Sequence, residues 1–416
     1  MKITNIKACQ IFDSRGLPTI ECEVIINNQF SKRASVPSGA STGQHEALEL
    51  RDNTQDFHGK GVQKAIENIH TKIAPLLIGK NPDVVTLDTI LIDLDDTKNK
   101  SNLGANATLA VSAAVVKTQA AIENVPLYEL FASLCNISSI SIAKPLFNII
   151  NGGAHADNNL TIQEIMVTPT NVESFRQAMQ AGSEFFHTLK KILIKNNKTT
   201  LVGDEGGFAP NFESETQAFD LLMQAIEENK KINNYEFAIA LDVAASEFYN
   251  KETKHYTIAN KCYKTEELIT WYKELAEQYP LFSIEDGLEQ NDWQGWQLMT
   301  KTLGDSLQLV GDDIFVTNPE KIYKGIKEKA ANAVLIKPNQ IGTITETLQA
   351  IILAQENGFN TVISHRSGET NGSLIADLAV GTNAGQIKAG GLSRGERMAK
   401  YNQLLRIEND LTNSLL

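Results

Sequence analysis

Cysteine is scarce, and the four residues present (Cys9, Cys22, Cys135, Cys262) form no CxxC pair. That scatter argues against a disulfide scaffold or a thiolate zinc site and suits reduced, mostly buried thiols. Positive charge is also short. Lys and Arg number 38 against 50 Asp and Glu, a formal net charge of −12, so direct nucleic-acid binding is not expected. The densest basic run, KKILIKNNK at 190–198, reads as a solvated helix end. An anionic ligand would therefore depend on local charge or a bound cation, because the global field opposes it. No apolar run approaches a membrane span; the longest candidate, LAVSAAVV, stops at Lys117. The opening MKITNIKACQIFDSRG lacks the apolar stretch and cleavage site of a signal peptide, which gives a cytoplasmic expectation. No GxGxxG follows an apolar run, and no GK[ST] follows the small, hydroxyl-rich PSGASTG at 37–43. Dinucleotide folds and Walker loops thus lack support.

With 416 residues the chain has room for two or three domains. The first 36 residues read as strands: KITNIKACQIF and TIECEVII flank the turn DSRGLP, and NNQ makes the next turn. From about 60 to 130 the apolar spacing becomes helical, as in NATLAVSAAVVKTQAAIE. Residues 1–135 are expected to form an N-terminal α+β capping domain. A boundary is expected near 140, marked by Pro145 and the Asn-Gly-Gly of NIINGGAH. Beyond it short apolar runs recur: TLVG, FAIALD, LFSIED, LQLVGDD, ANAVLIK, NTVISH and GQIK, mostly separated by helical segments. Residues 140–416 are therefore expected to form an α/β barrel or a doubly wound sheet.

Almost every run ends in a residue able to do chemistry: Glu205, Asp242, Glu285, Asp312, Lys337, His365 and Lys388. In a parallel barrel the C-terminal strand ends meet on one face, so these residues would share a pocket. Each alone is better explained as a strand flank; the recurrence is what points to a site. Asp242, Glu285 and Asp312, with no thiolate beside them, make a hard oxygen set that favours Mg²⁺ over zinc. The calcium-like DLDDTKNKSNLG (93–104) lacks Gly at its sixth position and Glu at its twelfth, which rules out an EF-hand. Lys337 ends an apolar run. Desolvation and nearby cations would lower its pKa to give a neutral base, and a lysine snorkelling to the rim explains it equally well. Arg366 and Ser367, side by side in SHRSGET, suit a phosphate oxygen, although a salt bridge from Arg366 to Glu369 is the plainer account. PSGASTG reads as a mobile turn or as a lid. In LVGDEGGFAP, Asp204 and Glu205 sit among glycines, which is most simply a turn.

DSRGLPT, VPSGASTG, NIINGGAHADNN, IQE, VGDEGGFAP, ALDVAASEF, SIEDGL, GDDIFVTN, LIKPNQIGT, SHRSGET and AKYNQLLRIE together closely resemble the enolase (phosphopyruvate hydratase) family. They occur in that family's order, from about residue 3 to 410. The resemblance implies a C-terminal atypical (β/α)8 TIM-like barrel, whose first strands and helices break simple alternation, beside the smaller N-terminal α+β domain. It implies reversible dehydration of 2-phosphoglycerate to phosphoenolpyruvate with two Mg²⁺, the second arriving with substrate. Position by position, Asp242, Glu285 and Asp312 match ligands of the tightly held metal. Ser41 in the lid matches a ligand of the second. Lys337 matches the base and Glu205 the general acid, a carboxylic acid kept protonated beside other acids. Glu164, His155 and Gln163 match residues lining the site, with Glu164 grouped with the catalytic set. Arg366 and Ser367 match phosphate contacts, Lys388 the carboxylate side, and His365 stands with the substrate contacts. A lysine base with Mg²⁺ is the established pattern of this superfamily. The resemblance also implies a homodimer or octamer, with Glu21 and Arg406 pairing across the dimer.

Three places depart from the family pattern, one of them a pair of residues. Asn371 and Gly372 replace an acidic pair, Leu17 replaces an Asn, and Gly395 replaces a serine. Rival readings are another Mg²⁺-dependent superfamily enzyme that racemises or cycloisomerises a carboxylate, and a lyase using Lys337 as a Schiff base. A catalytically dead homologue is the least favoured, since every proposed position is filled. Plasminogen binding at a cell surface is a secondary expectation, weakened because the ending NSLL lacks terminal lysines.

Overall fold

The computed structural model describes residues 1–40, 42–259 and 261–413. The N-terminal strands β1 (Ile3–Phe12), β2 (Pro18–Ile26) and β3 (Phe30–Ser35) form an antiparallel meander, as the turn signals imply. Its inner face buries Ile20, Cys22, Val24 and Ile26. Against it packs the helix Ala105–Glu123, buried on nearly every side. Alanine suits that place because it lets backbones approach and costs no side-chain entropy. Gly104 (φ 95°) precedes the helix, and Asn124 (φ 56°) ends it in the left-handed conformation that Asn tolerates.

The rest of the chain closes into an eight-stranded barrel. Its strands in chain order are β4 (Lys144–Asn151), β5 (Glu164–Pro169) and β6 (Phe237–Asp242). A small meander follows, β7 (Tyr249–Asn250), β8 (His255–Ile258) and β9 (Lys261–Tyr263). The barrel then resumes with β10 (Leu281–Glu285), β11 (Gln308–Gly311), β12 (Ala333–Ile336), β13 (Asn360–Ser364) and β14 (Gly385–Lys388). The order around the barrel is β10-β11-β12-β13-β14-β4-β5-β6. All neighbours are parallel except β5, which runs antiparallel to β4 and β6. The alternation is thus broken at the first strands, as the resemblance implied. The lumen is packed with Leu146, Met166, Ala240, Val310, Ala333, Leu335 and Val362, so the barrel is a core and not a pore.

Two local expectations fail. TLVG is not a strand: residues 201–209 form a loop held by bridges of Phe208 to Ile150 and Val202. Glu205 therefore sits on a loop, not at a strand end. Conversely, Pro145, read with the Asn-Gly-Gly as a boundary marker, lies inside β4, and of the Asn-Gly-Gly only Asn151 belongs to that strand. Pro is tolerated near a strand's first residue, where its missing N–H breaks little of the ladder.

Helix starts follow ordinary capping. Ser174, Ser214, Asp292 and Thr343 each accept a backbone N–H from the first turn of the helix that follows. Two helices carry the interdomain seam. The helix Val84–Asp95 offers Asp88, whose Oδ2 accepts from Thr345 N (2.8 Å) and Thr345 Oγ1 (2.7 Å) at the start of Ile344–Glu356. Ser112 accepts from Ile344 N (2.9 Å), and Thr108 donates to Gly342 O (2.7 Å).

Candidate active site

The reversed direction of β5 places its first residue, Glu164, at the mouth, level with the last residues of its neighbours. Glu164 pairs in register with Asp242, and Asp242 with Glu285. Lys388, at the end of β14, projects its ammonium into this ring. Its Nζ lies 2.9 Å from Asp242 Oδ2, 2.8 and 2.9 Å from the two oxygens of Glu285, and 3.2 Å from Glu164 Oε1. Burial opposes the Lys388 charge, but Asp242, Glu164 and Glu285 outweigh it and hold its pKa well above that of an ordinary lysine. Gln163 Nε2 donates to Asp242 Oδ2 at 3.2 Å.

On the next strand ends, Lys337 Nζ pairs with Asp312 Oδ2, whose other oxygen accepts from Gln340 Nε2 (2.8 Å). Burial pushes against the Lys337 ammonium, yet Asp312 and Glu285 overcome it, and its pKa is raised. The lowered pKa expected from desolvation is therefore not found, because the carboxylate field beats the burial cost. Asp286, in a left-handed conformation (φ 45°), takes the backbone N–H of Asp312 (2.9 Å) and of Asp313 (3.0 Å) on its two oxygens.

Opposite stand two acids joined by an amide: Asn148 Nδ2 donates to Glu164 Oε2 (2.8 Å) and Glu205 Oε2 (3.1 Å). The pair splits its titration. Burial, then the Glu205 charge, raises Glu164 well above the usual carboxylate range. Burial also disfavours ionised Glu205, but His155, His365 and Arg397 reverse the sign and draw it well below that range. Of the two acids Glu164 thus binds a proton the more readily, whereas the sequence reading assigns the proton to Glu205. His365 is itself pushed down to about 4, chiefly by burial, so its ring is neutral. His155 lies 3.5 Å from Glu164 and 3.7 Å from Glu205.

Arg366 pairs with Glu46 (2.9 and 3.2 Å) and Asn339 (3.0 Å), while Ser367 Oγ accepts from Ala40 N (2.7 Å). The 37–43 segment thus lies directly on the proposed phosphate contacts. Gly39 is required there, since a Cβ would stand 1.9 Å from Arg366 Nη2. Ser41 lies outside the described residues. The cavity lined by His155, Gln163, Glu164, Glu205, Asp242, Lys337, His365, Arg366, Ser367 and Lys388 holds about 20 Å³ of free space. That is room for one water, so a three-carbon phosphate enters only if this segment and the paired side chains move.

Glu164, Asp242 and Glu285 share one ammonium, and Asp286, Asp312 and Asp313 lie around the other. In each group carboxyls outnumber the ammonium, and every donor is a hard oxygen, which fits a divalent cation. Asp242 and Glu285 converge on Lys388, while Asp312 turns to Lys337, so the expected trio does not meet at one point. Oxygens of Asp286, Asp312 and Asp313, and ligand atoms of His155, Glu164 and Glu205, do lie within 4.8 Å of one another.

Sequence reasoning missed Asn148, Asp286, Gln340, Glu46, Asn339 and Arg397. Asn148 lies just before the Asn-Gly-Gly read as a boundary marker, and Arg397 in SRGER, which was noted only for Gly395 and which opens the helix Gly395–Asn413. The departures at Gly372 and Gly395 meet no crowding: a Cβ at 372 would touch only Thr370 Oγ1 at 3.5 Å, and one at 395 nothing. Glu21 meets Arg33 (3.7 Å) and Arg406 meets Gln403 (3.0 Å) within the chain. Among the described residues no helix is long and apolar enough to cross a membrane.

A closed α/β barrel whose C-terminal mouth gathers acids around two lysines is the arrangement of a TIM-barrel enzyme whose acidic groups could bind a metal. Residues 3–131 match the model of the enolase N-terminal domain, and residues 139–415 that of the enolase C-terminal TIM barrel domain. The chain belongs to the enolase family, a lyase-type enzyme of the enolase superfamily.

Proposed function

We propose that this chain reversibly dehydrates 2-phosphoglycerate to phosphoenolpyruvate with Mg²⁺. The observation that carries the reading is the meeting, in one cavity, of a lysine (Lys337) with two carboxyls bridged by Asn148 (Glu164, Glu205), beside Arg366 and Ser367. Removing the C2 proton needs a base, and expelling the C3 hydroxide needs an acid. Lys337 takes the first role. Glu205 takes the second in its protonated form, giving its proton to the departing C3 hydroxide, which leaves as water. Arg366 and Ser367 hold the phosphate, which orients C2 towards Lys337, while His155, Gln163, His365 and Lys388 line the remaining wall. Asp242, Glu285 and Asp312 would hold Mg²⁺, with Asp312 turning from Lys337 so that the lysine can lose its proton, and Ser41 would serve a second ion; the bound ions would supply positive charge where the substrate carboxylate gains electrons.

A Schiff-base lyase using Lys337 would keep its activity in chelator and be trapped by borohydride with a carbonyl substrate, and neither is expected here. The same proposal takes the protein as cytoplasmic and as a dimer or octamer, with Glu21 and Arg406 meeting a second copy; sizing by light scattering checks the latter. The decisive experiment follows phosphoenolpyruvate absorbance after 2-phosphoglycerate is added, with Mg²⁺ and then with excess chelator. Mg²⁺-dependent product is expected. No product from folded, Mg²⁺-supplied protein would overturn the assignment.

A further inference from the structure

Arg397 is completely buried, yet it touches none of the groups proposed to meet substrate except through their backbones and one imidazole. Its Nη1 lies 2.6 Å from His365 Nδ1 and donates to Arg366 O (2.5 Å); its Nη2 donates to Ser367 O (2.6 Å) and Asp204 O (3.2 Å). One guanidinium therefore ties the loop carrying Glu205 to the segment carrying the proposed phosphate contacts. The contact with the imidazole has a further consequence. A guanidinium has only donors and keeps its proton in proteins. The hydrogen bond between Arg397 and Nδ1 can then form only if Nδ1 is the acceptor. In a neutral imidazole the single ring hydrogen is thereby left on Nε2.

That nitrogen faces Glu205. His365 Nε2 stands 3.1 Å from Glu205 Oε2, though without an aligned hydrogen bond. Such contacts commonly tighten only when substrate is bound. With the opposite tautomer, Nε2 would present a lone pair to the carboxylate, and the two would repel.

We propose that Arg397 is a positioning residue that fixes His365 as the Nε2–H tautomer, so that the imidazole is a donor, never an acceptor, towards Glu205. The proposal rests on the reading of Glu205 as the acid at C3. It adds that the ionisation of Glu205 in the resting site is set from behind, by a residue outside the cavity. His365 Nε2 is thereby barred from taking a proton from Glu205.

The test is nitrogen NMR of the protein with ring-labelled histidine, with the His365 signal among the seven histidines assigned by its loss in His365→Asn. The expected pattern is a neutral ring protonated at Nε2; protonation at Nδ1 would overturn the proposal without any kinetics. Arg397→Met should release the tautomer and slow dehydration by roughly 10- to 100-fold, with exchange of the substrate C2 hydrogen into solvent preserved. Arg397→Lys, which keeps one donor, should restore the tautomer and part of the rate. A Met variant with an unchanged tautomer, or one losing C2 exchange and dehydration equally, would overturn the proposal. If the wild-type protein does not act on 2-phosphoglycerate, the functional reading fails, while the NMR result still decides the tautomer.

Discussion

Gly39 and Glu205 show how single residues set the chemistry. Gly39 passes so close to Arg366 that any side chain would displace the guanidinium. Gly39→Ala should thus leave the fold intact and cost about one charge-assisted hydrogen bond to the phosphate, on the order of 2 kcal/mol. Steady-state kinetics should show this mainly as a raised KM; an unchanged KM would remove Arg366 from the phosphate. Glu205→Gln keeps shape and loses the transferable proton. Dehydration should fall by about 10²- to 10⁴-fold, while deuterium at C2 still exchanges with solvent, because Lys337 is untouched. Wild-type turnover by a folded Glu205→Gln protein would end the acid assignment. The glycines around Glu205 also have a structural purpose: Gly206 adopts φ 89°, and its Cβ would stand 2.9 Å from Ser393 O.

At the scale of elements, the seam between the domains has its own titration. Asp88 is almost wholly buried, and burial raises its pKa from 3.8 to about 6, against the pull of Ser112 and Thr345. A carboxyl that binds its proton more tightly when folded supports the fold fully below its unfolded pKa. That support is lost as pH rises through the folded value. The loss from about pH 4 to pH 7 should be on the order of 3 kcal/mol. Asp88→Asn cannot ionise, so urea unfolding at a series of pH values should show the gap between variant and wild type changing by that amount in favour of the variant. A constant gap would show that Asp88 titrates normally. The same elements show what the sequence could and could not convey. Apolar runs made β6 and β10–β14 visible, together with the chemical residues at or beside their ends, because buried parallel strands are nearly continuous in hydrophobicity. β4 was obscured by Pro145 and the glycines after it, which looked like a linker. Side-chain pattern carries no strand direction, so nothing in EIMVTP said that β5 is reversed; only the family resemblance brought Glu164 to the site. Asn148 and Arg397 were hidden for a different reason. Their importance lies in which atoms they meet across the chain, and local sequence does not encode that.

At the scale of the whole molecule, a chain of net charge −12 concentrates buried carboxylates at the one place where it must receive an anion. Such a site is electrostatically costly until a cation arrives, and Glu285 carries much of that cost. Burial, and then Asp242, raises its pKa well above the usual range even though Lys388 is in contact. Two opposite effects follow from removing its charge. In chelator, Glu285→Gln should melt at or above the wild-type temperature, because surplus repulsion is relieved and the amide oxygen still accepts from Lys388. With Mg²⁺ the order should reverse. Wild type should gain about 2.7 kcal/mol at a hundredfold excess over Kd, seen as a rise of a few degrees in Tm, and the variant should gain little. Scanning calorimetry of both proteins in chelator and in Mg²⁺ reads the two effects separately. A Glu285→Gln protein that keeps the full Mg²⁺ shift would exclude Glu285 as a ligand and turn attention to Asp286, Asp312 and Asp313, whose oxygens already lie close together. A variant that melts well below wild type in chelator would instead show that the Glu285–Lys388 contact stabilises the barrel outright, and that the carboxylate ring is held together without the cation.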